Sequence, residues 1–211
     1  MKNLSQPHMF ELVEFVKRLR QRYKNGYVPD FDPDDGGVNA EILFLFEKPG
    51  PMTDPVNKGS GFISQDNNDL TANATKNFIV QAGIDRKKIV IWNVISAWNG
   101  KIKFSAKEKI YALEEFQELL SILKKVKSII LVGKEAQKIE KKIDLSNYKV
   151  LKSYHPSPKV KSINPNFWKT IPNVWQESLL DDDKILAKIL RKFFDKMIKF
   201  IKKIFLRNKD Y

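Results

Sequence analysis

Ile42-Leu43-Phe44-Leu45-Phe46 runs directly into Glu47-Lys48-Pro49-Gly50. Five consecutive apolar residues, closed by a Pro-Gly turn signal, predict a strand buried on both faces. A strand of that kind belongs in a parallel sheet covered by helices on both sides. The same signature recurs at residues 89–92 (IVIW) and 128–132 (SIILV), with a shorter strand at 148–151. Between these runs the apolar spacing turns helical. Residues 9–23 carry Phe10, Leu12, Val13, Val16 and Leu19 on one face. Residues 70–82 form a second helix, stopped by Gly83. Ser105 caps a third, to residue 125, with Glu108 completing a capping box. A fourth runs from Gly133 to Ile143. The alternation predicts an α/β fold: a three-layer α/β/α sandwich with a central, mainly parallel sheet of about four strands. This domain spans residues 1–176 and is followed by a basic amphipathic helix over 177–211.

Composition narrows the function classes. With no cysteine among 211 residues, disulfides, a thiol nucleophile and cysteine-held iron–sulfur or zinc sites are excluded. No secretory apolar run opens the chain, and no apolar stretch reaches the roughly 20 residues that span a bilayer. A cytoplasmic monomer is expected. The net charge of +13 attracts polyanions, nucleic acid or an anionic membrane surface. Much of that charge lies in residues 184–211, where ten Lys and Arg face two Asp. There Ile185, Leu186, Ile189, Leu190, Phe193, Phe194, Met197, Ile201 and Phe205 recur at helical spacing. Such a helix packs on the domain, meets a protein partner, clamps DNA or lies on a membrane surface.

Ligands of open parallel sheets bind outside the carboxyl ends of the strands. The segments leaving those ends begin at Glu47, Asn93, Gly133 and Ser153, and the last leads into His155-Pro156-Ser157-Pro158. With Phe62 from the long loop between the first two strands, a carboxylate, an amide, an imidazole and an aromatic converge on one edge. That set suits a flat heterocycle: the amide reads its edge, the ring stacks on its face, and polar groups act on the leaving bond. Each residue also has a plainer reading. Glu47 caps a helix, Asn93 holds a turn, Phe62 packs the core, and His155 is structural. His8 is assigned a structural role. The acidic run Asp30, Asp32, Asp34, Asp35 lacks the downstream Glu of a calcium loop and reads as a solvated turn, so no metal site is expected.

The ordered motifs resemble the uracil-DNA glycosylase superfamily. Glu47-Lys48-Pro49-Gly50 is similar to its first motif, especially in the iron–sulfur-containing members. Gly61-Phe62 is similar to the step whose Phe stacks on the base. The strand ending in Asn93 is similar to the one whose Asn reads uracil, and Leu131-Val132-Gly133-Lys134 to the strand and glycine between the two motifs. His155-Pro156-Ser157-Pro158 is similar to the second motif. The resemblance implies hydrolysis of the N-glycosidic bond of uracil, or a related damaged base, in DNA. Under it, Lys48, Pro49, Gly50, Phe62, Asn93 and Ser157 bind substrate. His155 donates to the base, and Glu47 stabilises the sugar cation or orients water, with Asp66 as a second carboxylate. Lys159 and Lys161 touch phosphates. No cofactor is implied, because the cluster-binding cysteines are absent. Two positions depart from the family. Lys48 stands where well-studied members have a water-positioning Asp, and it contacts a phosphate or pairs with Glu47. Lys159 stands at the intercalating Leu. A catalytically silent protein that binds nucleic acid or a nucleobase ligand is the alternative.

Overall fold

A computed structural model describes residues 2–180 of the chain. The chain divides into two units, Met1–Ser178 and Leu179–Tyr211, and the α/β domain is the first of them. From residue 181 onward the expected amphipathic helix lies outside the described residues. In order, the elements of the domain are α1 (Phe10–Arg22), β1 (Asp30–Phe31), β2 (Ile42–Phe46), β3 (Phe62–Ile63), α2 (Leu70–Gln81), β4 (Ile89–Asn93), α3 (Ala106–Ile122), β5 (Ser128–Val132), α4 (Lys134–Gln137), β6 (Lys149–Ser153), α5 (Pro158–Ile163) and α6 (Pro165–Gln176). No helix among the described residues is long and apolar enough to cross a membrane.

The four long strands pair in the order β4-β2-β5-β6, all parallel. Every residue of β2, β4 and β5 is buried, as their unbroken apolar runs require. Register partners in a sheet share a face and neighbours alternate. Phe44 packs edge-on against Trp175 of α6, and Phe78 of α2 packs on the same Trp. Trp92, one step out of phase, packs on Phe15 of α1 and stacks on Phe31 of β1 at 3.9 Å. One face of the sheet is therefore covered by α2 and α6 and the other by α1, which makes the three-layer α/β/α architecture.

Several local expectations are corrected. The helix expected over 133–143 is one α-helical turn that tightens into a 3-10 segment, Lys138–Lys141. Residues 158–176, given no element from sequence, form α5 and α6. Both begin with a proline at the first helical position, where its missing N–H costs nothing. A two-stranded parallel pair, β1 with β3, flanks β4 through Phe31. The acidic turn is solvated only in part, with Asp34 exposed. Asp32 and Asp35 are buried, and Arg86 donates to both from the segment that enters β4, Nη2 to Asp32 at 2.7 Å and Nε to Asp35 at 2.8 Å. His8 is structural: its Nε2 donates to the Pro33 carbonyl at 3.1 Å.

Candidate functional site

Asn93 is the last residue of β4 and the register partner of Phe46, the last residue of β2. Their side chains share the face on which Phe44 meets α6. Beyond β6 the chain turns back, and the His155 ring stands edge-on to the Phe46 ring, centroids 5.6 Å apart. Phe46 thus links Asn93 to His155. From the sequence Phe46 is only the last residue of a buried strand, and that terminal place is the signal that could have marked it. Asn93 is 6% exposed, and its side-chain amide has no hydrogen-bond partner among the described residues. Neither ring nitrogen of His155 has one there either. Neither amide atom is sealed from solvent, so the amide stays accessible to a ligand at this edge of the sheet. Burial pushes the His155 pKa down to about 4, so the imidazole is neutral near pH 7 and carries one N–H donor.

Glu47 leaves β2 and leans onto the turn that ends β5. Its Oε1 accepts from the backbone N–H of Glu135 at 3.0 Å, at the start of α4. The chain makes room with Gly133, whose φ is +91° and whose added Cβ would lie 2.3 Å from that oxygen. β2 connects outward to β4 and β5 outward to β6, so Glu47 sits at the point where the connections diverge. Burial raises its pKa above the ordinary carboxylate value, and the Glu135 N–H opposes that rise. The loop after Asn93 is held as well. Ser96 Oγ donates to buried Glu115 at 2.7 Å, and Tyr23 OH and Arg22 Nη1 donate to the same carboxylate at 3.1 and 3.2 Å. Gly133→Ala is therefore expected to cost about 1–3 kcal/mol through its backbone conformation alone. It should also push Glu47 off the Glu135 N–H. Urea unfolding measures the first effect, and a loss within experimental error would mean that the turn relaxes freely.

The other residues named from sequence have contacts of their own. Phe62 lies on β3, half-buried, with the Lys2 ammonium 5.7 Å from its ring centroid. Asp66 is bound up in ion pairs with Lys76 at 2.8 Å and Arg86 at 2.7 Å. Arg86 precedes β4 and Asn93 ends it, so this carboxylate is anchored at the opposite end of the strand. The three acidic groups that cluster there, Asp32, Asp34 and Asp66, are all paired with Lys2. The Lys48 side chain is 4% exposed and donates to Glu108 at 2.6 Å and to Asn99 at 2.9 Å, so its carboxylate partner here is Glu108 and not Glu47. Pro49 is buried, and Gly50 fronts open space, with nothing within 4 Å of an added Cβ. Ser157 caps α5, accepting from Val160 N–H. Lys159 and Lys161 are exposed on α5.

The structure thus gathers Asn93, Phe46 and His155, with Glu47 the residue that follows Phe46, at the carboxyl edge of a parallel sheet. Two potential hydrogen-bonding groups there have no partner among the described residues. No curated protein matches the chain significantly. The family model described as the uracil DNA glycosylase superfamily matches residues 33–176, which contain all four strands of the main sheet and these four site residues. With more than half of its length matched, and with no cysteine to hold a cluster, the chain belongs to the uracil-DNA glycosylase superfamily as a divergent member.

Proposed function

We propose that the chain hydrolyses the N-glycosidic bond of uracil, or of a related damaged base, in DNA. The observation that carries this reading is a pair of polar side chains without a hydrogen-bond partner among the described residues, Asn93 and His155, on either side of Phe46. An amide offers a donor and an acceptor side by side, which matches the carbonyl and adjacent N–H on the edge of uracil. As the bond from the sugar carbon to the base nitrogen breaks, its electrons pass to the base, and the sugar carbon gains oxocarbenium character. The neutral His155 donates a hydrogen bond to the base oxygen where negative charge collects. Glu47, fixed by the Glu135 N–H, stabilises the cation or orients the water that adds to the sugar carbon. One proton of that water is lost, and the base takes up a proton to leave neutral.

A second reading, a silent protein that binds a nucleobase or nucleic acid, is favoured by one observation. The position after Glu47 is a lysine locked to Glu108, so no second carboxylate stands there to position water. Uracil-containing single- and double-stranded oligonucleotides, followed by alkaline cleavage of abasic sites, separate the two. The expected outcome is uracil release by the wild type and a loss of about a hundredfold in Asn93→Ala and in His155→Ala, the scale for removing one preorganised donor. No release by the wild type, with uracil-dependent binding retained, would establish the silent reading. Release unchanged in both variants would sink the assignment of the site.

A further inference from the structure

We propose that Tyr154 and Phe167 form a base-stacking platform beside His155 and that the polymer it recognises is single-stranded DNA. The inference rests on the proposed DNA substrate for the identity of the polymer, but not on catalysis. Tyr154 is the residue before His155, and Phe167 lies in the first turn of α6, the helix that covers the Phe46 face. Their rings are stacked, centroids 4.9 Å apart and planes at 17°. Stacked rings usually lie in a core, yet Tyr154 is 39% exposed and Phe167 51%. Nothing in the packing of the described residues explains two parallel rings left to water. A planar ligand that extends the stack does explain them, and every nucleobase has such a face.

Charge selects the ligand. From Leu145 to Gln176 the chain has five lysines and no acidic residue, although acidic residues occur on both sides of this stretch. Lys159, Lys161 and Lys169 on α5 and α6 are exposed. Lys161 lies over the Trp168 ring, its Nζ 4.9 Å from the centroid, which fixes a cation next to Phe167. Aromatic faces set among lysines form the arrangement that tracks an unpaired strand: phosphates meet the cations and bases meet the rings. A duplex offers phosphates but keeps its base faces stacked internally, so it satisfies only half of this surface.

The test is fluorescence anisotropy of the full chain with three probes: a short labelled oligodeoxythymidylate, a duplex of equal length, and heparin as a polyanion without bases. Because none contains uracil, the result is independent of whether the chain excises a base. The single strand is expected to bind more tightly than the duplex. Phe167→Ala and Tyr154→Ala should each weaken single-strand binding about tenfold, the scale for losing one stacked base, and leave heparin binding unchanged. Phe167→Trp should retain the affinity. Lys161→Ala should instead flatten the salt dependence of binding to all three probes. Thermal melts check folding, and Phe167, half in water, is the safer truncation. The proposal is overturned if Phe167→Ala binds oligodeoxythymidylate as the wild type does, if it loses heparin to the same degree, or if the wild type prefers the duplex.

Discussion

Arg86→Met lowers the stability of the fold by about 3–5 kcal/mol at neutral to alkaline pH, and by distinctly less in mild acid. The guanidinium is the hub of a buried acidic cluster. It donates to Asp32 at 2.7 Å and to Asp35 at 2.8 Å, and pairs with Asp66 at 2.7 Å. Asp32 is also held by Lys2 and Ser64. Asp35 has less support: its Oδ1 receives Arg86 and a long 3.4 Å contact from Gln65, and its Oδ2 is buried with no partner among the described residues. Burial first, and the neighbouring Asp32 second, raise its pKa from 3.8 to about 7 even with Arg86 in place. A carboxyl whose folded pKa lies above its unfolded one binds its proton more tightly when folded. Its stability contribution is fully present below pH 3.8 and is lost as pH rises through about 7. Removing Arg86 raises that pKa further and extends the loss to higher pH. Urea unfolding of wild type and variant at about pH 5 and about pH 8 measures the difference. Equal penalties at the two values would show that Asp35 is not the group left uncompensated.

That cluster also marks where sequence reading stops. Asp32 and Asp35 stand among prolines and glycines, and their composition alone reads as a wet turn. Their burial is set by Arg86, more than fifty residues later, which no local pattern announces. The main sheet was legible because an unbroken apolar run has one comfortable place in a fold, and β2, β4 and β5 each carry one. The start of α3 was legible because a capping box is written in four consecutive residues, with Ser105 Oγ accepting from Glu108 N–H and Glu108 accepting from Ser105 N–H. β1 and β3 were not, since two residues cannot show a period. The positions of Asn93 and His155 at the carboxyl edge followed from the strand ends. That Phe46 joins them did not, because it depends on how the chain folds back after β6.

Lys48→Met is expected to cost about 3 kcal/mol, while Lys48→Met combined with Glu108→Leu recovers part of that loss, the Glu108 half of the capping box being given up. The pair is closed to water, with side chains 4% and 7% exposed and 2.6 Å between Nζ and Oε1. Truncating the lysine leaves a carboxylate in a site that hydrates it poorly. The penalty stays at the lower end of the range for such pairs because the other oxygen of Glu108 keeps the Ser105 N–H at 2.7 Å. Burial raises the Glu108 pKa, but the hydrogen bonds that its carboxylate accepts from Lys48 and Ser105 and the attraction of the ammonium outweigh it and hold the pKa below the ordinary value. A group of that kind stabilises the fold above its unfolded pKa and loses its contribution as pH falls through the folded one, so the single variant costs least in acid. The double variant distinguishes two roles for this lysine. If Lys48 acts by tying the Glu47 loop to the start of α3, an apolar pair of similar volume does the same work, and uracil release recovers together with stability. If its positive charge acts on DNA, stability returns without activity, and single-strand affinity falls with a shallower salt dependence. Its burial and its bond to Glu108 place the expectation on the first outcome.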